Sequence, residues 1–158
     1  MSLAKSKPRP LRLGGSGKAD VRTQFGALCW RVHKDEVQTA LITSRRTRRW
    51  VIPKGWPVDG ATPAEAAARE AFEEAGLEGR LSNVCLGIYS YSKMMDDDAE
   101  LPCVVAVFPL KVKKIHRTWP EDGERRRKWF SLKKAASLVD APDLKHLLRE
   151  FDPRLLPR

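Results

Sequence analysis

Long apolar runs are missing from this chain of 158 residues. No stretch approaches the roughly 18 consecutive apolar residues of a membrane-spanning helix, so no membrane partner is expected. Cysteine is scarce. Only Cys29, Cys85 and Cys103 occur, widely spaced and odd in number, which excludes a disulfide framework and a CxxC metal knuckle. Reduced thiols fit a cytoplasmic location, and each thiol lies in an apolar stretch where a small buried hydrophobe is expected. The basic N-terminus lacks the apolar core of a secretory signal. Acid is in short supply as well: 20 Asp and Glu stand against 30 Lys and Arg, for a net charge of +10. That balance favours a polyanionic partner, whether nucleic acid, anionic lipid or a small polyphosphate. Charge alone does not choose between them. What is present suffices for one ordinary domain, since 42% of residues are apolar.

Residues 1–20 carry Lys, Arg, Pro, Gly and Ser and are expected to form a basic mobile tail. An ordered domain is expected over 21–151, with a short C-terminal tail at 152–158. Two strand-like runs, 25–32 and 37–44, flank the polar turn His33-Lys34-Asp35-Glu36 and predict a hairpin. A basic link, 45–49, leads to a short strand at 50–52. After the Gly/Pro-rich loop 53–61 a helix is well marked. Thr62 is its N-cap, Pro63 its first residue, Glu65 the partner in a capping box and Gly76 its left-handed terminator. Runs 81–92 and 102–112 read as strands around an acidic loop holding Asp96, Asp97, Asp98 and Glu100. A loop at 113–124, a short strand at Trp129-Phe130 and helices at 131–139 and 142–151 complete the pattern. Strands interleaved with helices indicate an α/β domain with helices on both faces of a mixed sheet.

The marked helix carries the chemistry. Glu70, Glu73 and Glu74 follow Arg69 at offsets that place them on one helical face. Like charges packed this way destabilise a helix unless something positive sits among them. A hard dication, Mg²⁺ or Mn²⁺, suits carboxylate oxygens. Ala64, Ala67, Ala68, Ala71 and Ala75 share another side, which lets the helix approach a sheet closely and turns the carboxylates toward a cleft. A Gly-rich loop and basic residues stand nearby. Lys54, Arg45, Arg46, Arg48 and Arg49 can hold phosphate charge. A metal that neutralises a diphosphate and acidifies an attacking water would then hydrolyse a phosphoanhydride.

Gly55, Arg69, Glu70, Glu73, Glu74, Gly76 and Leu77 stand at the spacing of the Nudix box, and the chain resembles the Nudix hydrolases. Two positions depart from that pattern: Ala61 replaces its first Glu and Ala71 its larger aliphatic. The resemblance implies an α/β/α sandwich with a central mixed sheet over residues 20–151. It implies that Glu70, Glu73 and Glu74 ligate Mg²⁺ or Mn²⁺, that Glu70 doubles as general base, that Arg69 orients the carboxylates, and that Gly55 shapes the preceding loop. A further carboxylate from a later loop is implied too, with Asp96, Asp97, Asp98, Glu100, Glu121 and Glu124 as candidates.

Within that family the chain looks most like the diphosphoinositol polyphosphate and diadenosine polyphosphate hydrolases. The stretch Trp50-Val51-Ile52-Pro53-Lys54-Gly55 and the late basic segment before Trp129-Phe130 carry the likeness. Lys54, Gly55, Arg45, Arg46, Arg49 and Arg126 are then the candidate substrate-binding residues, and the partner is a small polyphosphorylated molecule. An ADP-ribose hydrolase is disfavoured, because no proline occurs between Gly79 and Leu101. Within the family, RNA 5′-pyrophosphate or nucleoside triphosphate hydrolysis is the alternative. A basic nucleic-acid-binding module is the alternative from another class, with five tryptophans for stacking but no recognised motif.

Overall fold

The computed structural model describes residues 11–12 and 20–157. In chain order the elements are β1 (Leu11–Arg12), β2 (Asp20–His33), β3 (Glu36–Thr43), β4 (Trp50–Val51), β5 (Lys54–Gly55), α1 (Pro63–Ala75), β6 (Leu77–Leu81), β7 (Gly87–Met94), β8 (Glu100–Ile115), β9 (Arg127–Ser131), α2 (Leu132–Leu138) and α3 (Pro142–Glu150).

The long strands β2 and β8 form the spine. They run parallel in register from Arg22 opposite Cys103 to Trp30 opposite Lys111. Parallel neighbours need a long crossover, and everything between Lys34 and Ala99 supplies it. β3 pairs antiparallel with the end of β2, and β5 with its middle, at Phe25 and Gly26. β9 and β4 extend the sheet beyond β3. The result is the expected mixed sheet.

The hairpin is tighter than the sequence suggests. Strands continue to His33 and from Glu36, leaving Lys34 and Asp35 as a two-residue turn with φ of 51° and 62°. Paired left-handed residues give the turn twist that matches a right-twisted hairpin. A larger difference concerns 81–92, expected as one strand. Two strands, β6 and β7, share successive stretches of the β8 edge, and residues 82–86 cross between them. Ser82 and Leu86 peg the crossing by donating to Pro109 and Val107. The break falls beside Pro109, which has no N–H to offer a ladder.

Alternation along β2 builds two cores. Leu28 and Trp30 face Ala135, Val139, Leu144 and Leu148 of the α2 and α3 layer. Ala27 and Cys29 face Ala64, Ala67, Ala71 and Ala75 of α1. Helices therefore cover both faces, as the α/β/α sandwich requires. Both expected caps of α1 form: Thr62 and Glu65 make a reciprocal capping box, and Gly76 ends the helix at φ 65°. Cys29 and Cys103 are buried as expected, but Cys85 is exposed, its thiol directed at the Gly87 carbonyl from the crossing segment.

Of the stretch expected as an N-terminal tail, Leu11–Arg12 pair with Val21 and Asp20, and 1–10 and 13–19 lie outside the described residues. At the other end Asp152 caps a turn at Pro153–Leu155, and Leu156 packs against the first core.

Ala71 is fully buried where α1 meets the sheet. Ala71→Leu is expected to wedge helix and sheet apart at a cost of about 1–3 kcal/mol. Urea unfolding should show a lower midpoint with an unchanged m-value.

Candidate active site

The carboxylate face of α1 does not look outward. Glu70 is 1% exposed and Glu74 8% exposed. They are covered by β5, whose Gly55 lies so close that an added Cβ would collide with the Glu70 side chain. The expectation of carboxylates turned toward a cleft thus fails for Glu70, whereas Glu74 does line a cavity. The strand hidden in the Gly/Pro-rich loop passes directly over the helix, and only a glycine permits that approach.

Each carboxylate has its own surroundings. Glu73 accepts from Arg69 Nε at 2.9 Å. Glu74 Oε1 accepts from the Lys54 backbone N–H at 3.0 Å, and Oε2 from Arg125 at 3.0 Å. Burial pushes the Glu74 carboxyl above its usual range, against the opposing pull of Arg125 and Lys54. Arg125 is nearly buried too. It also binds Glu121 at 2.9 Å and the Thr43 carbonyl at 3.2 Å.

A cavity of about 600 Å³ opens beside this cluster. Glu74, Lys54 and Arg125 form its inner wall, Tyr91, Trp50 and Leu144 contribute apolar surface, and Arg45, Arg46 and Arg49 stand around it. Glu70 and Glu73 lie behind that wall rather than in it. Lys54 stretches over the Tyr91 ring, with Nζ 4.8 Å from the centroid. Burial lowers its pKa to about 8. Lys93 also lines the cavity.

The rim arginines are all engaged across loops. Arg45 meets Glu124 at 3.5 Å, Arg46 meets Asp96 at 3.8 Å and the Met95 carbonyl at 2.5 Å, and Arg49 meets Asp140 at 3.2 Å. Three expected substrate-binding arginines are thus brought together. Arg126 is not among them. It is exposed, with its guanidinium 5.7 Å from the Trp50 ring centroid. Arg125 occupies the place assigned to Arg126. The signal was strand parity: Arg127 and Trp129 face the α1 side, Lys128 and Phe130 the other, and Arg125 falls in step with the first pair.

Of the later-loop acids, Glu121 is held against Arg125 beside Glu74, whereas Asp96 and Glu100 line the cavity. The acidic stretch at Asp96 is solvated, as its fully exposed side chain shows. Of the loop tryptophans, Trp119 does not face the cavity. It packs on Gly76 and donates to the Glu74 carbonyl at 3.1 Å. Tyr89 is buried and Tyr91 half-buried with its hydroxyl on Gln24.

The donor set is all oxygen, from carboxylates on adjoining turns of one helix, which fits a hard dication. As they stand, no three acid, imidazole or thiol side chains among the described residues converge closely enough to hold an ion. Glu73 and Glu74 are turned onto Arg69 and Arg125 instead. To share an ion, those two carboxylates would have to leave their guanidinium partners.

Comparison with known proteins agrees with this geometry. A NUDIX domain profile matches residues 22–153. Nudix hydrolase 12, mitochondrial, of Arabidopsis thaliana is 33% identical over 120 residues, covering 74% of this chain and 59% of that protein. The chain thus spans less than two thirds of that relative's length. Diphosphoinositol polyphosphate phosphohydrolase 3-alpha of Mus musculus is 28% identical over 120 residues, covering 75% of this chain and 69% of that one. The crystal structure of the C. elegans Ap4A hydrolase superposes with a TM-score of 0.59 at 20% identity, covering 82% of this chain and 94% of that chain, and so shares the fold. With box, sandwich and profile in agreement over most of its length, the chain belongs to the Nudix hydrolase family.

Proposed function

We propose that this chain hydrolyses a phosphoanhydride in a small, multiply phosphorylated molecule, a diphosphoinositol polyphosphate or a diadenosine polyphosphate. One observation carries the reading: Glu74 of the carboxylate helix and the cations Lys54, Lys93 and Arg125 line the same cavity. Phosphate oxygens seated on those cations would lie against the acidic helix. A bound Mg²⁺ or Mn²⁺ would draw on Glu70, Glu73 and Glu74 and supply charge neutralisation and an acidified water. Glu70, which lies behind the cavity wall under Gly55, would have to turn toward the cavity to accept the proton of the attacking water. Arg69 steadies Glu73. Lys54, with Tyr91 beneath it, and Lys93 hold the anionic end of the substrate, and Arg45, Arg46 and Arg49 receive its outer phosphates.

A panel assay tests the reading: dinucleoside polyphosphates, diphosphoinositol phosphates, nucleoside triphosphates and 5′-triphosphorylated RNA, with Mg²⁺ and then Mn²⁺. Phosphate release from the first two classes is expected, and chelation with EDTA should abolish it. Glu70→Gln should lower kcat by about 100-fold or more. Tight, salt-sensitive RNA binding without hydrolysis of any panel member would favour the nucleic-acid module instead.

Lys54 sets a pH limit. Its folded pKa of about 8 lies below the ordinary lysine value, so burial costs stability below that pH and the cost fades as pH rises. Substrate capture runs the other way, because it needs the charge. kcat/KM, which reports the free enzyme, should fall as pH rises through about 8. Lys54→Arg, charged throughout, should push that basic limb upward.

The Arg125–Glu74 pair is buried at both ends. Arg125→Met strands the Glu74 carboxylate and should cost about 3–5 kcal/mol in urea unfolding. Adding Glu74→Gln should recover much of the loss.

A further inference from the structure

A run of backbone carbonyls ends α1 and its cap, and one loop takes all of them. Glu121 N–H donates to the Glu73 carbonyl at 3.0 Å, and His116 N–H to the Gly76 carbonyl at 2.9 Å. Trp119 Nε1–H donates to the Glu74 carbonyl at 3.1 Å. Arg127 donates to the Ala75 carbonyl at 2.7 Å and to the His116 carbonyl at 3.0 Å. Helix ends ordinarily leave such carbonyls to water or to a short turn. Here two side chains and two backbone amides from 116–127 replace them.

The side chains are themselves stacked. The Arg127 guanidinium lies 4.2 Å from the Trp119 ring centroid. That ring also packs on Gly76, where an added Cβ would stand 2.7 Å from Trp119 Cδ2. Gly76, Trp119 and Arg127 thus join the end of the carboxylate helix to the start of β9. The same loop region delivers Arg125 to the Glu74 carboxylate at 3.0 Å. Glu74 is therefore gripped at its carbonyl by Trp119 and at its carboxylate by Arg125.

We infer that Trp119 and Arg127 are positioning residues that set the metal-holding geometry of Glu73 and Glu74. The inference rests on the proposed metal role of those carboxylates. Neither side chain reaches the cavity, so each acts through the helix end. A carboxylate ligand must be presented at a fixed angle, and partners behind the ligands tune affinity by about 10–100-fold. If the last turn of α1 loosened, Glu73 and Glu74 would lose the fixed backbone positions from which they could reach a shared ion, while Glu70, one turn earlier under Gly55, kept its own.

The test titrates Mn²⁺ alone, read by electron paramagnetic resonance, into the full chain and four variants. Trp119→Phe keeps the ring over Gly76 and removes one N–H donor. Arg127→Met removes the guanidinium donors, Arg127→Lys keeps a cationic donor, and Glu74→Gln is the reference. Mn²⁺ affinity should weaken about tenfold in Trp119→Phe and Arg127→Met, and Arg127→Lys should recover most of it. At a fixed subsaturating Mn²⁺ concentration kcat should fall, while KM for the polyphosphate substrate stays level because Lys54 and Lys93, which hold its anionic end, are untouched. Unchanged Mn²⁺ affinity in both loss-of-donor variants would overturn the inference, whatever happens to their melting temperatures. If Arg127→Met does not fold, Trp119→Phe decides alone. No Mn²⁺ uptake by the unaltered chain would overturn the metal reading and this inference with it, whereas normal uptake, weakened only by Glu74→Gln, would overturn this inference alone.

Discussion

The arrangement turns on the contact between a two-residue strand and a helix. β5 crosses α1 at Gly55, where the absence of a side chain leaves room for the Glu70 carboxylate, and the neighbouring Lys54 N–H holds Glu74. Burying carboxylates is costly unless each is hydrogen-bonded or paired. Glu74 meets that condition through Lys54 and Arg125, and the half-buried Glu73 is paired with Arg69. Chemistry-bearing groups are thereby kept in a protein interior at the edge of water, where their interactions are strong.

Both helical layers serve this contact at a distance. The alanine stripe brings α1 close enough to the sheet for β5 to reach over it, and β5 is itself anchored by pairing with Phe25 and Gly26 of β2. On the far side, Val139 and Leu144 close the cavity with apolar surface while packing in the opposite core. Wall and foundation are thus made by the same residues, so cavity shape and core packing are not independent variables.

Signals that act within a few residues are legible in the sequence. Thr62, Pro63, Glu65 and Gly76 define a helix through hydrogen bonds and backbone preferences acting within a few residues, and the structure keeps every one. Strands interleaved with helices indicate helices on both faces of a mixed sheet, and the family resemblance implies the sandwich. What escaped depends on partners far along the chain. β5 has two residues inside a loop composition, and only its pairing with β2 makes it a strand. The crossing at 82–86 arises because β6 and β7 must share one edge. Arg125 and Arg126 are indistinguishable by type, and which one turns inward follows from the register of β9 with β3. The depth of Glu70 could not be foreseen either, since spacing shows which face a residue occupies but not what will lie over it.

The paired arginines around the cavity have an electrostatic consequence. Arg45, Arg46 and Arg49 are each neutralised by an acid from a different loop. A singly charged visitor that displaces one of those acids exchanges one monovalent contact for another and gains almost nothing. A molecule presenting adjacent multivalent groups outbids several carboxylates together and frees the loops they tether. If these arginines receive the proposed substrate, the rim would favour anions of high charge density over singly charged ones, because each exposed pair is weak enough for such an anion to displace.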